Sequence, residues 1–366
     1  MIGAGMVGAA CAYYCAAAGL RVGVVERGAV ASGTTSSGEG NILVSDKEPG
    51  PELDLALLSV RLWSELGERL GERIELHAKG GVVVARSEPA LTALTDLLDR
   101  QRACGIDVTG VGPSELAELE PWLTRDVAGG AYYPQDQQVQ PMLAAAELLR
   151  ASGATVHTGT TVRGFRPGGV RTDRGDLSAR WVINAAGTWG GEIAALAGAP
   201  VPVLPRRGFI LVTEPLPARI RHKVYTADYV ANVASDDAGL ETSVVVEGTK
   251  AGTVLIGASR ERVGFDRTMS LPVVRKLAAQ AVDLFPFLTD VRLLRTYLGF
   301  RPYCPDHLPV IGPDPRVPGL VHACGHEGAG IGLAAATGHL IAQTLTGATP
   351  DLDLTPFRPD RFAEVA

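Results

Sequence analysis

The sequence has no run of about 18 apolar residues, so no segment reads as a membrane-spanning helix. Cysteine is scarce: Cys11, Cys15, Cys104, Cys304 and Cys324 are odd in number and contain no C-x-x-C pair. That pattern indicates neither a zinc site nor a disulfide framework, and offers no cluster of thiolates for an iron–sulfur centre. Positive charge is not in excess: 34 Lys and Arg stand against 40 Asp and Glu, a net charge of −6, which argues against a nucleic-acid binder. No basic region precedes the apolar N-terminal stretch, so no signal peptide is read. The expected location is a reducing cytoplasm, or the membrane periphery through partner subunits. No Ser–His–Asp or Cys–His constellation is evident, and neither internal repeats nor low-complexity segments stand out.

What is present is an ordinary globular composition, 46% hydrophobic and 20% charged over 366 residues. That length is too great for one simple core and predicts two domains, or one with a large insertion. The 44 glycines imply many tight turns or close approaches of backbone to a ligand.

Gly3, Gly5 and Gly8 fit G-x-G-x-x-G. The first permits the tight turn, the second lets a pyrophosphate approach the backbone, and the third lets the helix lie close to the sheet. The following helix runs to Gly19 through Ala9, Ala10, Cys11, Ala12 and Ala16, the small residues that packing on a sheet requires; its N-terminal amides and dipole suit phosphate. RVGVVE, residues 21–26, reads as a strand ending in Glu26, an acid at the spacing that takes ribose hydroxyls. Together these predict a dinucleotide site. A solvated strand end is the alternative for Glu26. About five apolar strand residues should precede Gly3; only Met1 and Ile2 do. The first strand is therefore expected to be largely missing, with a start assigned too late as the explanation and weaker cofactor occupancy as a consequence.

Downstream, the hydroxyl-rich stretch 31–41 can donate several hydrogen bonds to phosphate and to a ring system, or else is a flexible loop. Residues 51–71 read as an amphipathic helix, 74–87 as strands, 88–105 as a helix, 114–123 as a short helix, 126–141 as strand and turn, and 141–152 as a helix. Short strands with glycine turns follow to WVINAAGTW, a buried strand leading to a helix start. Residues 205–266 are β-rich, a helix is predicted at about 271–285, and the C-terminal part reads strand, turn, strand, glycine-rich loop, helix. The two kinds of region alternate, which suggests domains assembled from discontinuous pieces.

Four ordered blocks carry a resemblance: GAGMVG with Glu26, GTTSSGEGN (33–41), VINAAGTW (182–189), and LGFRPYCPDHLPVIG (298–312) followed by GHEGAGIGLA (325–334). Over essentially the whole chain the sequence resembles the FAD-dependent D-amino acid oxidase family, which includes glycine oxidase, sarcosine oxidase and D-amino acid dehydrogenases. SDKEPGPELDLALLSVRLW and VEGTKAGTVLIGASRERVGFD look like the beta subunits of D-hydroxyproline dehydrogenases, with opine oxidase and hydrogen cyanide synthase subunits as relatives. The resemblance implies an α/β fold: a Rossmann-like FAD-binding domain with a parallel sheet (1–77, 139–206, 299–366) and a substrate domain on a second, mixed antiparallel sheet (78–138, 207–298).

It also implies site roles. Gly3, Gly5, Gly8 and Glu26 would bind the ADP half of FAD, with Arg27 in the same set. Thr34, Thr35 and Ser36 would contact the pyrophosphate and ribityl chain, and Glu39, Gly40 and Asn41 would lie near the flavin ring. Val162 would give backbone hydrogen bonds to adenine. Ala186, Gly187 and Trp189 belong to the NAAG-x-W segment, and Gly325, His326, Gly328, Gly330, Ile331 and Gly332 to the loop that wraps the ring. Arg301 matches the arginine that holds the substrate carboxylate, chemistry that its planar fork suits; an ordinary salt bridge is the alternative. His326 would tune the flavin or make a structural hydrogen bond. Tyr225, Tyr229 and Glu247 would line the pocket or face solvent, Tyr229 being carried as a catalytic candidate. Cys304, Cys11 and Cys15 read as packing residues, and FAD as non-covalent.

The implied reaction is oxidation of the C–N bond of a small amino or imino acid, D-hydroxyproline or D-proline as first choice. Hydride passes from Cα to the flavin, positioned by the protein, and electrons leave to oxygen, a quinone or partner subunits. Alternatives are a stand-alone glycine- or sarcosine-type oxidase, a non-catalytic FAD-containing assembly subunit and, less well supported by the C-terminal block, an NAD enzyme.

Overall fold

The computed structural model describes residues 1–229 and 237–362. Its first sheet is built around Ile2, which bridges Val25 on one side and Asn184 on the other, both in parallel. The strand order is Thr155–His157, Gly23–Val25, Ile2, Val182–Asn184, Leu320–Cys324 and Val310–Pro313, parallel except for the last. The central strand is thus present as a single rung. Gly3 N donates to Val25 O and Ala185 N to Ile2 O, so the ladder closes on both sides.

The helix Met6–Ala17 follows at once. Its run Gly8–Ala12 is small and buried, which lets it lie between the helices Pro141–Ser152 and Ala334–Thr346. Contact with the latter is backbone-close: a Cβ on Gly338 would stand 2.6 Å from Ala10 C.

The second sheet has eight strands in the order Leu293–Tyr303, Leu204–Thr213, Val254–Arg260, Glu241–Gly248, Lys223–Thr226, Gly81–Ala85, Gly129–Tyr133 and Thr109–Val111. All its pairings are antiparallel except that of Lys223–Thr226 with Gly81–Ala85. Alternation assigns its faces. Val82, Val84, Val224, Val246 and Ile256 pack against the helix Leu271–Leu284 through Leu277, Ala281 and Leu284. Val83, Ala85, Tyr225 and Val245 turn to the core that includes the first helix. The run GVVVA is therefore buried on both faces and shows no polar alternation. The expected domain boundaries at 206/207 and 298/299 fall inside the two longest strands, Leu204–Thr213 and Leu293–Tyr303, which pair along most of their length. A separate antiparallel meander, residues 162–178, flanks the first sheet.

Candidate active site

A cavity of about 800 Å³ runs from the glycine turn of the first sheet to the inner face of the second, within the range of cofactor and ligand pockets. At one end the turn is held open by its glycines. Gly3 has φ +108°, and a Cβ there would meet Ala185 O at 2.4 Å; a Cβ on Gly8 would meet Gly3 O at 2.1 Å. Gly3 and Gly5 line the cavity, whereas Gly8 lies behind the turn and serves the packing. Glu26 is not a solvated strand end. Its carboxylate accepts from Ala4 N at 2.9 Å and from Gly28 N at 2.7 Å, which fixes it beside the turn. Arg27 stacks over Trp189 at 4.0 Å, and Trp189 stacks in turn on Phe265 at 5.5 Å. Val162, Ala186 and Gly187 complete this end.

The hydroxyl-rich segment is not a loose loop. Thr34–Ser37 forms a 3₁₀ turn, tied to the helix start by Met6 N donating to Thr35 Oγ1 at 2.9 Å. Thr34 and Thr188 both donate to Phe300 O, at 2.8 and 2.6 Å, which joins the turn to the strand Leu293–Tyr303. Ser36 does not line the cavity: its hydroxyl donates back to Gly33 O at 3.0 Å. Its neighbour Ser37 lines the cavity instead, against Gly299, where a Cβ would stand 2.3 Å from Ser37 Cβ.

Arg301, His326 and Tyr229 share the far end with Glu39, Gly40, Asn41, Gly328, Gly330 and Ile331. Gly325 and Gly332 lie outside the lining: a Cβ on Gly325 would run into Cys304 Sγ, and the Gly332 carbonyl accepts from Trp63 Nε1 at 3.0 Å. Arg301 Nη1 donates to Ser259 O at 2.8 Å; no carboxylate pairs with Arg301 among the described residues, so the surface salt-bridge alternative does not hold. Burial, followed by the nearby Arg260, lowers its pKa, and Tyr229, Glu39 and Glu327 oppose that. His326 is buried and burial lowers its pKa to about 3, so it is neutral at pH 7. Thr337 gives its own hydroxyl hydrogen to Leu333 O; the 2.9 Å contact between His326 Nε2 and Thr337 Oγ1 therefore places the imidazole hydrogen on Nε2.

The solvent-facing alternative for three residues is corrected. Tyr225, Tyr229 and Glu247 are all buried, because the inner face of the sheet is covered by segment 39–47. Tyr225 donates to Ser45 Oγ at 2.6 Å, and Glu247 pairs with Lys79 at 3.0 Å. Only Tyr229 of the three lines the cavity. Cys304 is buried behind it. Cys324, which lines it, is kept as a thiol by burial, which raises its pKa to about 12.

Sequence reasoning missed Glu327, Gly208 and Lys223. Glu327 adopts φ +46°, held by Arg206 Nη1 at 2.6 Å and by His307 Nδ1 at 2.9 Å; Arg206 is itself fully buried and also reaches Glu241 at 3.0 Å. Gly208 lies under the Arg301 guanidinium, with Arg301 Nη1 2.1 Å from where a Cβ would be.

The profile of the FAD dependent oxidoreductase family (DAO) matches residues 1–344. The chain belongs to this family of flavoenzymes. Among curated proteins, hydrogen cyanide synthase subunit HcnC of Pseudomonas aeruginosa is 33% identical over 329 residues, covering 86% of this chain and 75% of the relative. Glycine oxidase of Geobacillus kaustophilus is 30% identical over 372 residues, 98% of this chain and 95% of the relative. The crystal structure of a glycine oxidase from that organism superposes with a TM-score of 0.89, covering 98% of this chain and 97% of the other. L-proline dehydrogenase from P. horikoshii shares the fold, with a TM-score of 0.90 at 24% identity. As a member of the family the chain is an FAD-dependent oxidoreductase, and its cavity fits the cofactor. Gly3 and Gly5 bring the backbone of a helix N-terminus to the cavity wall, Glu26 lines the cavity beside them, and the cavity continues to the inner face of the eight-stranded sheet.

Proposed function

We propose that this flavoenzyme oxidises the C–N bond of a small amino or imino acid, D-hydroxyproline or D-proline as first choice. The observation that carries this reading is Arg301: a half-buried guanidinium at the far end of the cavity, without a carboxylate partner among the described residues, anchored through one nitrogen to Ser259 O. A substrate carboxylate supplies the missing counter-charge and matches the fork geometry. The names of the relatives, glycine oxidase and a hydrogen cyanide synthase subunit, support an amino acid substrate. FAD, when bound, supplies the two-electron acceptor for the hydride leaving Cα.

The chain's own residues bind and orient. Gly3, Gly5, Glu26, Arg27, Thr34, Thr35, Val162, Ala186, Gly187 and Trp189 would hold the dinucleotide. Glu39, Gly40, Asn41, His326, Gly328, Gly330 and Ile331 would border the ring, with Gly8, Ser36, Gly325 and Gly332 shaping the backbone behind. Arg301 fixes the carboxylate, and Tyr229 closes the pocket beside it. In this reading the first sheet serves FAD and the eight-stranded sheet the substrate. Partner subunits would take the electrons onward, as the word "subunit" in the HcnC name invites. The cytoplasm, or the membrane periphery through such partners, would be its place; no helix among the described residues is long and apolar enough to cross a membrane. A stand-alone oxidase of the glycine type is the second reading, favoured by the near full-length match to glycine oxidase.

The test is the visible spectrum of the purified protein under anaerobic conditions. Bleaching of the flavin band by cis-4-hydroxy-D-proline is expected. A yellow protein bleached by glycine or sarcosine, and not by the imino acid, overturns the substrate. Reoxidation by air at catalytic rate would decide for the oxidase.

A further inference from the structure

Three buried side-chain polar atoms without a hydrogen-bond partner lie near one another beside the cavity: Glu39 Oε1, Asn41 Oδ1 and Lys223 Nζ. Buried polar atoms are normally satisfied, so a cluster of orphans beside a cavity marks where a polar ligand completes the structure. Glu39 and Asn41 both line the cavity, and Glu39 is the ionisable one. It is 8% exposed, and its position is over-determined. Its Oε2 accepts from Asn41 Nδ2 at 3.2 Å, its carbonyl accepts from Gln138 Nε2 at 3.2 Å, and Gly40 follows at φ +95°, pressed on Val139 O. Oε1 lies over Gly257, where a Cβ would stand only 2.7 Å away.

Glu39 and Arg301 line the same cavity and act on each other's charge, yet neither has an ion-pair partner among the described residues. An acid and an arginine facing one cavity without touching present the charge pattern of a zwitterion: carboxylate toward Arg301, ammonium toward Glu39. Resting on the proposed function, we infer that Glu39 is a catalytic residue: its carboxylate receives the substrate's ammonium group and takes its proton, leaving the neutral amine whose lone pair assists the loss of hydride from Cα. In this step one N–H bond breaks and one O–H bond forms, R₂NH₂⁺ and carboxylate becoming R₂NH and carboxylic acid. No oxidant is needed for it, and the proton is returned to water once the product has left.

The groups around Glu39 suit a proton acceptor. Burial, the largest influence, raises its pKa; Lys223 and Arg301 lower it, and Glu247 raises it. Asn41 holds its second oxygen, Tyr297 from the neighbouring strand feels its charge, and Gly257 contributes backbone alone. Lys223, only 1% exposed, has rings of Tyr225 and Tyr229 at 5.4 and 5.6 Å and keeps a positive potential on the acid. A carboxyl drawn upward from the usual carboxylate range is closer to the ammonium it must deprotonate.

The experiment compares wild type with Glu39→Gln. Anaerobic flavin reduction by cis-4-hydroxy-D-proline, or by whichever amine bleaches the wild type, is followed from pH 6 to 9.5. The expected result is a fall of about 100-fold or more at pH 7, recovering roughly tenfold per pH unit as neutral amine appears in solution. Binding gives the second readout. Calorimetry with tetrahydrofuran-2-carboxylate, which has an ether oxygen in place of the amine, should show weak binding to wild type and tighter binding to Glu39→Gln, whose amide can donate. Should Glu39→Gln lose its flavin, Glu39→Ala with added formate replaces it, and restored reduction is expected. An equal loss at every pH, an unchanged profile or an unchanged ligand preference overturns the inference and leaves the proposed function standing. A wild-type flavin that no amino or imino acid bleaches overturns both.

Discussion

At the scale of single residues, the site depends on side chains whose geometry is fixed by something that is not there. Gly208 is the case to test. The Arg301 guanidinium crosses the space a Cβ would fill at 208, with Ser259 O 2.5 Å from the same point. Gly208→Ala must displace the arginine, since the carbonyl cannot move without its strand. The variant is expected to keep its flavin while binding of a carboxylate ligand weakens about tenfold to a hundredfold, the worth of a charged hydrogen bond at about 1.5–3 kcal/mol. Titration followed by flavin absorbance measures it. Arg301→Lys should weaken the same ligand by a similar factor, because an ammonium cannot meet both oxygens in one plane.

His326 gives a pH prediction with a definite sign. Its folded pKa lies near 3, below the unfolded value of about 6.5. Between those values the unfolded chain carries the proton and the folded chain does not, so this group's stabilisation is complete above pH 6.5 and is lost as pH falls toward 3. His326→Gln, whose amide can still donate to Thr337, is expected to flatten the decline of Tm between pH 6.5 and 4. An unchanged slope would show that other groups govern the acid limb.

At the scale of elements, the glycine turn and its helix were legible because their chemistry is local. Gly3, Gly5, Gly8 and the small residues 9–16 state close packing in their own spacing, and the structure supplies the contact that each implies. Gly8→Val tests the turn: its side chain would overlap Gly3 O, and loss of FAD together with about 1–3 kcal/mol of stability is expected. Flavin content and a denaturant titration check both. The helices over 51–71, 88–105, 141–152 and 271–285 were legible by periodicity to within a few residues. The inner face of the eight-stranded sheet was not. Tyr225 and Glu247 lie in strands whose alternation shows that faces differ, and Tyr229 in the helical turn that follows one of them, while nothing local says which face is covered. Segment 39–47 covers it, from nearly two hundred residues away. For the same reason Lys223 left no signal: a buried lysine between tyrosines is written in the sequence like an exposed one.

At the scale of the whole molecule, FAD is expected to act as a bridge between the two sheets. The cavity is lined by the glycine turn, the 31–41 segment, the strands of the large sheet and the C-terminal loop. A ligand that binds only the folded state stabilises it by RT ln(1 + [L]/Kd), about 2.7 kcal/mol at a hundredfold excess over Kd. Adding FAD to stripped protein should therefore raise the melting temperature of secondary structure and of tryptophan fluorescence together. A shift in one probe alone would mean that the cofactor holds one sheet without the other.

The paired strands Leu204–Thr213 and Leu293–Tyr303 set Arg301 opposite Arg206 and Gly299 opposite Gly208. An antiparallel ladder counts residues: gaining or losing one shifts each following side chain to the opposite face. Arg301 would then point away from the cavity, and the bulk that Gly208 and Gly299 exclude would enter it. Homologous sites of this kind can exchange the side chain on a rung, and so change what they accept, far more readily than they can change the number of rungs. Length variation in this lineage is expected to collect in the turns 214–222 and 285–292, at the ends of the ladder, where a residue added costs the site nothing.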